Sequence, residues 1–168
     1  MHTTSASRTT RATGRVSLRP VTDTDREFLL GVYESTREQE LALVAWPEGH
    51  REAFVRMQFD AQDTYYREVY PNGSFDVIDV DDHPAGRLYV NRHPGDIRII
   101  DIALLPEFRG TGIGRLLIGQ VLEEAANSSY RASIHVETHN PAARLYTRMG
   151  FVLAHEGEVY NRMEWTKP

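Results

Sequence analysis

The sequence contains no cysteine, and Lys167 is its single lysine, so arginine carries almost all of the positive charge. The lack of cysteine excludes a disulfide framework, a thiolate metal site, an iron–sulfur cluster and a cysteine nucleophile. It is typical of a protein from a reducing compartment, and we predict a cytoplasmic location. No apolar run approaches the ~20 residues that a membrane-spanning helix needs, so no membrane partner is expected.

Positive charge is scarce overall, with 19 Lys and Arg against 24 Asp and Glu and a net charge of −5. Residues 1–20 hold four arginines and no acid, which leaves 15 basic and 24 acidic side chains, or −9, in the rest. Nucleic-acid binding depends on clustered positive charge. The chain is therefore not expected to bind nucleic acid.

The length of 168 residues, with 40% hydrophobic and 26% charged residues, indicates one globular domain. Residues 1–15 lack Leu, Ile, Val and Phe and cannot bury enough apolar surface to offset the entropy lost on ordering. We predict a flexible N-terminal tail over 1–15 and a folded domain over 16–168. A transit peptide has a similar composition, but the amphipathic face that it requires is missing.

Hydrophobic periodicity predicts one strand, two helices, three strands, a helix, a strand, a helix and two strands, which is an α/β fold with a mixed sheet. The nearly continuous apolar run of residues 97–105 predicts a central strand covered on both faces. Thr24 and Glu27 have the spacing of a capping box before the first helix. The second helix is predicted to start at Pro47 and to bury one stripe, namely Phe54, Met57, Ala61, Tyr65 and Val69.

A glycine-rich turn over residues 104–115 leads from the end of the central strand into a helix. Free N–H groups of a first helical turn, the helix dipole and the absence of side chains at the glycines together favour a bound phosphate. A simple connecting turn is the alternative. A Walker loop is excluded because no Lys and Ser/Thr follow Gly114, and the even spacing of Gly110, Gly112 and Gly114 does not fit a dinucleotide fingerprint.

The spacing Arg-x-x-Gly-x-Gly matches the segment from Arg109 to Gly114, which directly follows a Leu-x-Pro strand end. A second segment, from Asn140 to Phe151, reads NPAARLYTRMGF and combines Asn, Ala, Leu-Tyr and Gly-Phe. With both segments in this order, the chain resembles the GNAT superfamily of acyl-CoA-dependent N-acyltransferases over residues 16–166. The resemblance implies a mixed, mostly antiparallel central sheet flanked by helices, and acetyl-CoA as the acyl donor.

The same resemblance implies roles for individual residues. The backbone of Leu104 and Leu105 and the side chain of Asn140 would hold the pantetheine arm, and Tyr146 would contact the donor and protonate the departing thiolate. The pyrophosphate would lie on the turn formed by Arg109, Gly110, Thr111, Gly112, Ile113, Gly114 and Arg115. A phenol with an ordinary pKa of ~10 is a suitable donor to a thiolate.

A base must take a proton from the incoming ammonium group, since only a neutral amine attacks. The candidates are the carboxylates of Asp101 and Glu137, with Asp96 as another carboxylate and His135 and His139 as alternatives. An acid within an apolar run, as at Asp101, is costly unless it is partnered. The seven histidines lack metal-ligand spacing, so no metal is expected.

By analogy with the family, the first two helices form the wall of the acceptor site, with six candidate lining residues: Tyr33, Arg37, Glu38, Trp46, Phe59 and Tyr66. The leading hypothesis is an N-acetyltransferase that acts on a primary amine, either a small molecule or a peptide, by direct attack in a ternary complex. A non-catalytic acyl-CoA sensor, and an enzyme that uses a longer acyl group or an oxygen nucleophile, are the alternatives. The resemblance also allows a homodimer.

Overall fold

The computed structural model describes residues 14–168, which contain a single seven-stranded sheet and four α-helices. The strands are β1 (Val16–Pro20), β2 (Ser74–Val80), β3 (His83–His93), β4 (Asp96–Leu104), β5 (Arg131–Glu137), β6 (Val152–His155) and β7 (Tyr160–Trp165). The helices are α1 (Arg26–Leu41), α2 (His50–Val69), α3 (Ile113–Ser128) and α4 (Ala143–Arg148). The predicted order of elements is confirmed.

The strand order in the sheet is β1-β2-β3-β4-β5-β7-β6, so β4 is the central strand, as predicted. All neighbouring pairs are antiparallel except β4 and β5, which are parallel and joined through α3. The predicted fold class, a mixed and mostly antiparallel sheet flanked by helices, is confirmed.

The two faces of the sheet carry different helices. The main core packs α3 and α4 against one face, with Ile99, Leu117 and Phe151 among its buried side chains. Helices α1 and α2 lie on the other face and share a smaller apolar cluster around Tyr33 and Phe59. Within residues 14–168, no helix combines the length and apolar character needed to cross a bilayer.

The predicted buried stripe of α2 is wrong. Its large side chains are exposed, from 39% at Phe54 to 59% at Tyr65, and the helix instead buries Val55 and Phe59. The next turn of the buried face carries Gln62, whose amide is bonded to a buried arginine of the sheet. A polar residue on the inner face weakens the apolar periodicity, so the exposed stripe has the clearer pattern. The helix also begins later than predicted, after Gly49.

The first described residues contact the β2–β3 turn. Residues 1–13 of the predicted tail lie outside the described part, whereas Arg15 is held against the β2–β3 turn by its backbone N–H, which donates to Asp81 over 2.8 Å. The capping interaction before α1 is formed two residues earlier than predicted, because the N–H of Thr22 donates to the Asp25 carboxylate over 2.8 Å.

The parallel ladder between β4 and β5 is short. It pairs residues 96–99 with residues 131–134 and ends at Ile99 and Ile134. On its other edge β4 has a bulge, since Tyr89 pairs with Asp101 and Val90 with Ile99, leaving Ile100 unpaired. Beyond this point the two parallel strands separate, and their carboxyl-terminal halves form the two walls of a split in the sheet.

Candidate active site

The split exposes backbone groups of β4 that lack a strand partner. The N–H of Leu105 donates to Ala85 of β3 over 2.8 Å, and its carbonyl accepts from Phe108 over 3.0 Å. Because successive residues of a strand turn their N–H groups to opposite edges, Leu104 faces the split. Leu104 therefore presents its N–H to a ligand in the split, because its carbonyl already accepts from Arg109. Both backbone groups of Leu105 are used within the chain.

The glycine-rich turn closes one end of the split. Gly110 and Gly112 have φ angles of +69° and +90°, a region that residues with a Cβ rarely adopt. The side chain of Thr111 bonds back to the Phe108 carbonyl over 2.6 Å, which fixes the turn. The first N–H groups of α3, from Ile113 onward, have no partner inside the helix and point out of its end. The turn can therefore hold an anion through its backbone.

The cradle is open. At Gly110, Gly112 and Gly114, no other atom of residues 14–168 lies within 4 Å of the place where a Cβ would stand. A phosphate can thus approach the main chain closely at all three glycines. These are the residues that the sequence motif singled out.

The two arginines of the motif are placed differently. Arg109 folds across the end of β4, with Nε donating to the Leu104 carbonyl over 2.9 Å and Nη2 donating to Ser35 Oγ of α1 over 3.1 Å. Its guanidinium therefore ties the turn to the strand and to α1. Arg115, in the first turn of α3, is exposed. Arg115 is thus the freer of the two to pair with a phosphate.

On the β5 side of the split, Asn140 and Tyr146 belong to the α4 region. Asn140 Oδ1 accepts from the N–H of Ala142 over 2.9 Å, which shapes the entry to α4 and leaves its amide NH₂ at the surface. Tyr146 is buried, with its ring edge-on to Phe151 at a centroid distance of 5.9 Å. Burial, with a smaller contribution from the charge of Asp101, raises the pKa of Tyr146 to about 12. The phenol is thus protonated at neutral pH.

Asp101 lies on the β4 side, two residues beyond the last β4–β5 pair, and faces α2. It accepts from Arg87 Nη2 over 2.6 Å and from the Tyr66 hydroxyl over 3.1 Å, and Arg87 also donates to Gln62 over 2.8 Å. Burial has the largest single effect on Arg87 and would lower its pKa, but the Asp101 charge together with the interactions with Tyr89 and Tyr66 raises the pKa. Burial and the same charge raise the pKa of Tyr66.

Arg87 and Gln62 are absent from the sequence-based candidates. A signal was present, because the alternation in β3 puts Arg87 on the same face as Tyr89, away from Leu88 and Val90. An arginine that shares a face with an inward-pointing tyrosine is not on the solvent side.

Glu137 lies on the β5 side of the split and, like Asp101, is on the face of the sheet that carries α1 and α2. Its carboxylate accepts from Arg37 of α1 over 2.9 Å, and 36% of the side chain is exposed. Burial tends to lower the pKa of Arg37, but the bond to Glu137 and its charge raise it. Asp101 and Glu137 therefore flank the split from its two walls, both on the α1–α2 side, whereas Tyr146 approaches from the side of α3 and α4.

The other candidate bases lie elsewhere. Asp96, at the opposite end of β4, accepts from Ser133 over 2.8 Å and pairs with Arg131. His135 stands beside Arg98, and burial together with that cation lowers its pKa. His139 is exposed in the turn after β5. Nowhere in residues 14–168 do three or more His, Asp or Glu side chains converge as a metal site requires.

Of the six predicted acceptor residues, three line one cavity of about 350 Å³ between α1 and the start of α2: Tyr33, Arg37 and Trp46. We name this cavity the α1–α2 pocket; its walls also include Leu41, Val44, Phe54 and Val55, with Glu40 and Gln58 at the polar part. Phe59 is instead a core residue, Glu38 pairs with Arg51 at the surface, and Tyr66 bonds Asp101.

Comparison with known families supports this arrangement. The model of the acetyltransferase (GNAT) family matches residues 17–151, which is most of the chain. The chain belongs to the GNAT acetyltransferase family. A Bacillus subtilis (strain 168) protein assigned provisionally as a ribosomal protein bS18-alanine N-acetyltransferase is 32% identical over 93 residues. That match covers 53% of this chain and 62% of the relative, so it spans less than two thirds of the relative's length.

Solved structures of GNAT proteins share the fold. The PaiA N-acetyltransferase of Thermoplasma acidophilum, solved with coenzyme A, superposes with a TM-score of 0.68 at 16% identity, covering 91% of this chain and 99% of the other. An acetyltransferase of Thermus thermophilus gives a TM-score of 0.66 at 22% identity, covering 90% of this chain and 97% of the other.

Proposed function

We propose that this GNAT protein transfers the acetyl group of acetyl-CoA to a primary amine by direct attack, with both substrates bound together. The observation that carries the proposal is the unpaired wall of β4 beside an open, glycine-lined helix N-terminus. The turn of residues 109–115 would bind the pyrophosphate, with Arg115 as its counter-charge. The pantetheine arm would enter the split along Leu104, with Asn140 on the opposite wall.

The chemistry follows from which groups lie on which side of the split. The amine nitrogen attacks the thioester carbonyl carbon from the α1–α2 side, where Asp101 or Glu137 takes the proton of the ammonium group. The N–H of Leu104 donates to the oxyanion of the tetrahedral intermediate. This hydrogen bond is stronger in the transition state than in the ground state and therefore accelerates the reaction. The C–S bond then breaks, and the hydroxyl of Tyr146 donates its proton to the departing thiolate. The attacking nitrogen loses its second proton, which passes through solvent to restore the Tyr146 hydroxyl, so the products are a neutral amide and a free thiol. The high pKa of Tyr146 supports this role because the proton is present when it is needed.

Direct transfer is supported by the composition as well as by the geometry. A covalent acyl-enzyme would need a nucleophile, and the chain has no cysteine. Acid and base on opposite faces suit a single attack through the split. The name of the Bacillus subtilis relative supports a peptide N-terminal amine as one kind of acceptor.

The test is calorimetric titration with CoA followed by an assay of free thiol release from acetyl-CoA with small amines and peptides. We expect CoA binding, and thiol release that depends on the amine. Absence of CoA binding would overturn the proposal. Binding of CoA without amine-dependent thiol release would favour a non-catalytic acyl-CoA sensor. A preference for a longer acyl-CoA or for an alcohol acceptor would favour an enzyme that uses a longer acyl group or an oxygen nucleophile.

A further inference from the structure

The α1–α2 pocket has the size and lining of a site for a small apolar group. Its volume of about 350 Å³ lies at the lower end of the ~300–1,000 Å³ that small-molecule pockets occupy. Three aromatic side chains line it, namely Tyr33, Trp46 and Phe54. Such rings present large, flat apolar surfaces on which another ring packs well.

The aromatic walls are held in place before any ligand arrives. Trp46 Nε1 donates to the Leu41 carbonyl over 3.0 Å, and the Trp46 ring packs on Phe54 at a centroid distance of 5.1 Å. Phe54 nevertheless remains 39% exposed and Val44, across the pocket, 50% exposed. A ligand in the pocket would remove this apolar surface from water, which favours binding.

The pocket adjoins the split through one side chain. Arg37 lies at its rim, with its guanidinium over the Tyr33 ring at 5.8 Å, and donates to Glu137 over 2.9 Å. Arg37 therefore lies between Glu137 and the pocket. We expect a short alkyl linker to join an amine nitrogen near Glu137 to an apolar group in the pocket.

The charges at the rim belong to Arg37 and to the two carboxylates that pair with it. Glu40 lines the pocket and pairs with Arg37 at 3.4 Å, and Arg37 also pairs with Glu137 at 2.9 Å. Apart from these groups and Gln58, the walls of the pocket are apolar or aromatic. The pocket itself therefore suits an apolar body.

On the basis of the proposed function, we infer that the amine acceptor is an arylalkylamine whose ring occupies the α1–α2 pocket. The reacting nitrogen lies at the Glu137 end. The pocket thereby selects the acceptor through its apolar body, and the split provides the chemistry.

The experiment compares kcat/KM for 2-phenylethylamine, ethylamine and 1,4-diaminobutane with acetyl-CoA. We expect 2-phenylethylamine to exceed each of the others by about 10-fold or more, as one buried ring provides. Trp46→Ala is expected to lower kcat/KM for 2-phenylethylamine by about 10-fold, and for ethylamine by a smaller factor because ethylamine carries no ring. Tyr65→Ala is the matched control, since Tyr65 is a 59% exposed aromatic residue of α2 outside the pocket.

A second variant covers the case in which Trp46→Ala does not fold. Val44→Trp adds a ring at a half-exposed position of the pocket wall, so KM for 2-phenylethylamine should rise by a larger factor than KM for ethylamine. Turnover of all three amines at equal kcat/KM, or a preference for the diamine, would overturn this inference and leave the acetyltransferase proposal standing. Failure to bind CoA or to turn over any amine would remove both proposals.

Discussion

Arg87 of β3 donates to Asp101 of β4 over 2.6 Å, and only 3% and 16% of the two side chains are exposed. This buried ion pair lies beneath α2, at the place where β4 leaves its parallel neighbour. Buried pairs of this kind contribute little net stability, but the loss of one partner leaves the other charge uncompensated. The pair therefore fixes the position of the Asp101 carboxylate at the edge of the split.

The pair gives a prediction for stability. Asp101→Asn should lower the free energy of unfolding by about 3–5 kcal/mol, because Arg87 stays buried without its counter-charge. Tyr66→Phe, which removes one hydrogen bond to the same carboxylate, should cost only about 1 kcal/mol. Urea denaturation measures both values. Equal stabilities of the two variants would show that Asp101 is not the partner that compensates Arg87.

Tyr146 provides a kinetic prediction. Tyr146→Phe keeps the ring that packs on Phe151 and removes the proton donor, so kcat should fall by about 100-fold or more while KM for acetyl-CoA changes little. Because the pKa of Tyr146 is about 12, this residue should produce no basic limb in the pH–rate profile below about pH 10. Tyr65→Phe is the control. An unchanged kcat would remove Tyr146 from the mechanism.

The sequence was sufficient to predict the order of elements along the chain and the glycine turn, because both depend on local patterns. Continuous apolar residues mark β4, and glycines at Gly110 and Gly112 are required by their positive φ angles. The role of Arg87 and the buried face of α2 depend instead on contacts between distant segments. The alternation in β3 indicates the face on which Arg87 lies, but no local pattern identifies its partners, Asp101 fourteen positions away and Gln62 twenty-five positions away.

The glycine cradle can be tested with a matched pair of substitutions in α3. Gly114 lies in the first turn and Gly119 farther along, and no other atom of residues 14–168 is within 4 Å of a Cβ built at either. Alanine should stabilise the helix by up to about 1 kcal/mol at both positions. Gly114→Ala alone should weaken CoA binding, because Gly114 belongs to the turn proposed to hold the pyrophosphate and Gly119 does not. Calorimetric titration and thermal melting separate the two effects.

The two arginines of the turn should differ in how they affect CoA binding. Arg115→Gln removes an exposed cation next to the cradle, so we expect a higher Kd for CoA and a weaker dependence of Kd on salt. Arg109→Gln breaks the bonds to Leu104 and Ser35 and should lower the melting temperature as well. If Arg115→Gln left the salt dependence of Kd unchanged, the pyrophosphate would not lie at this end of α3.

The ion pair between Asp25 and Arg19 should stabilise the fold less at acidic pH. Arg19 donates to both of its carboxylate oxygens over 2.9 Å, and this bonding lowers the pKa of Asp25 to about 2 from 3.8. A depressed pKa stabilises the folded state above the unfolded pKa, and the stabilisation is lost as the pH falls from about 4 to about 2. The stability difference between the wild type and Asp25→Asn should therefore shrink over that interval. Asp23→Asn, at an exposed neighbour, is the control, and a difference that stays constant down to pH 2 would contradict the role of Arg19.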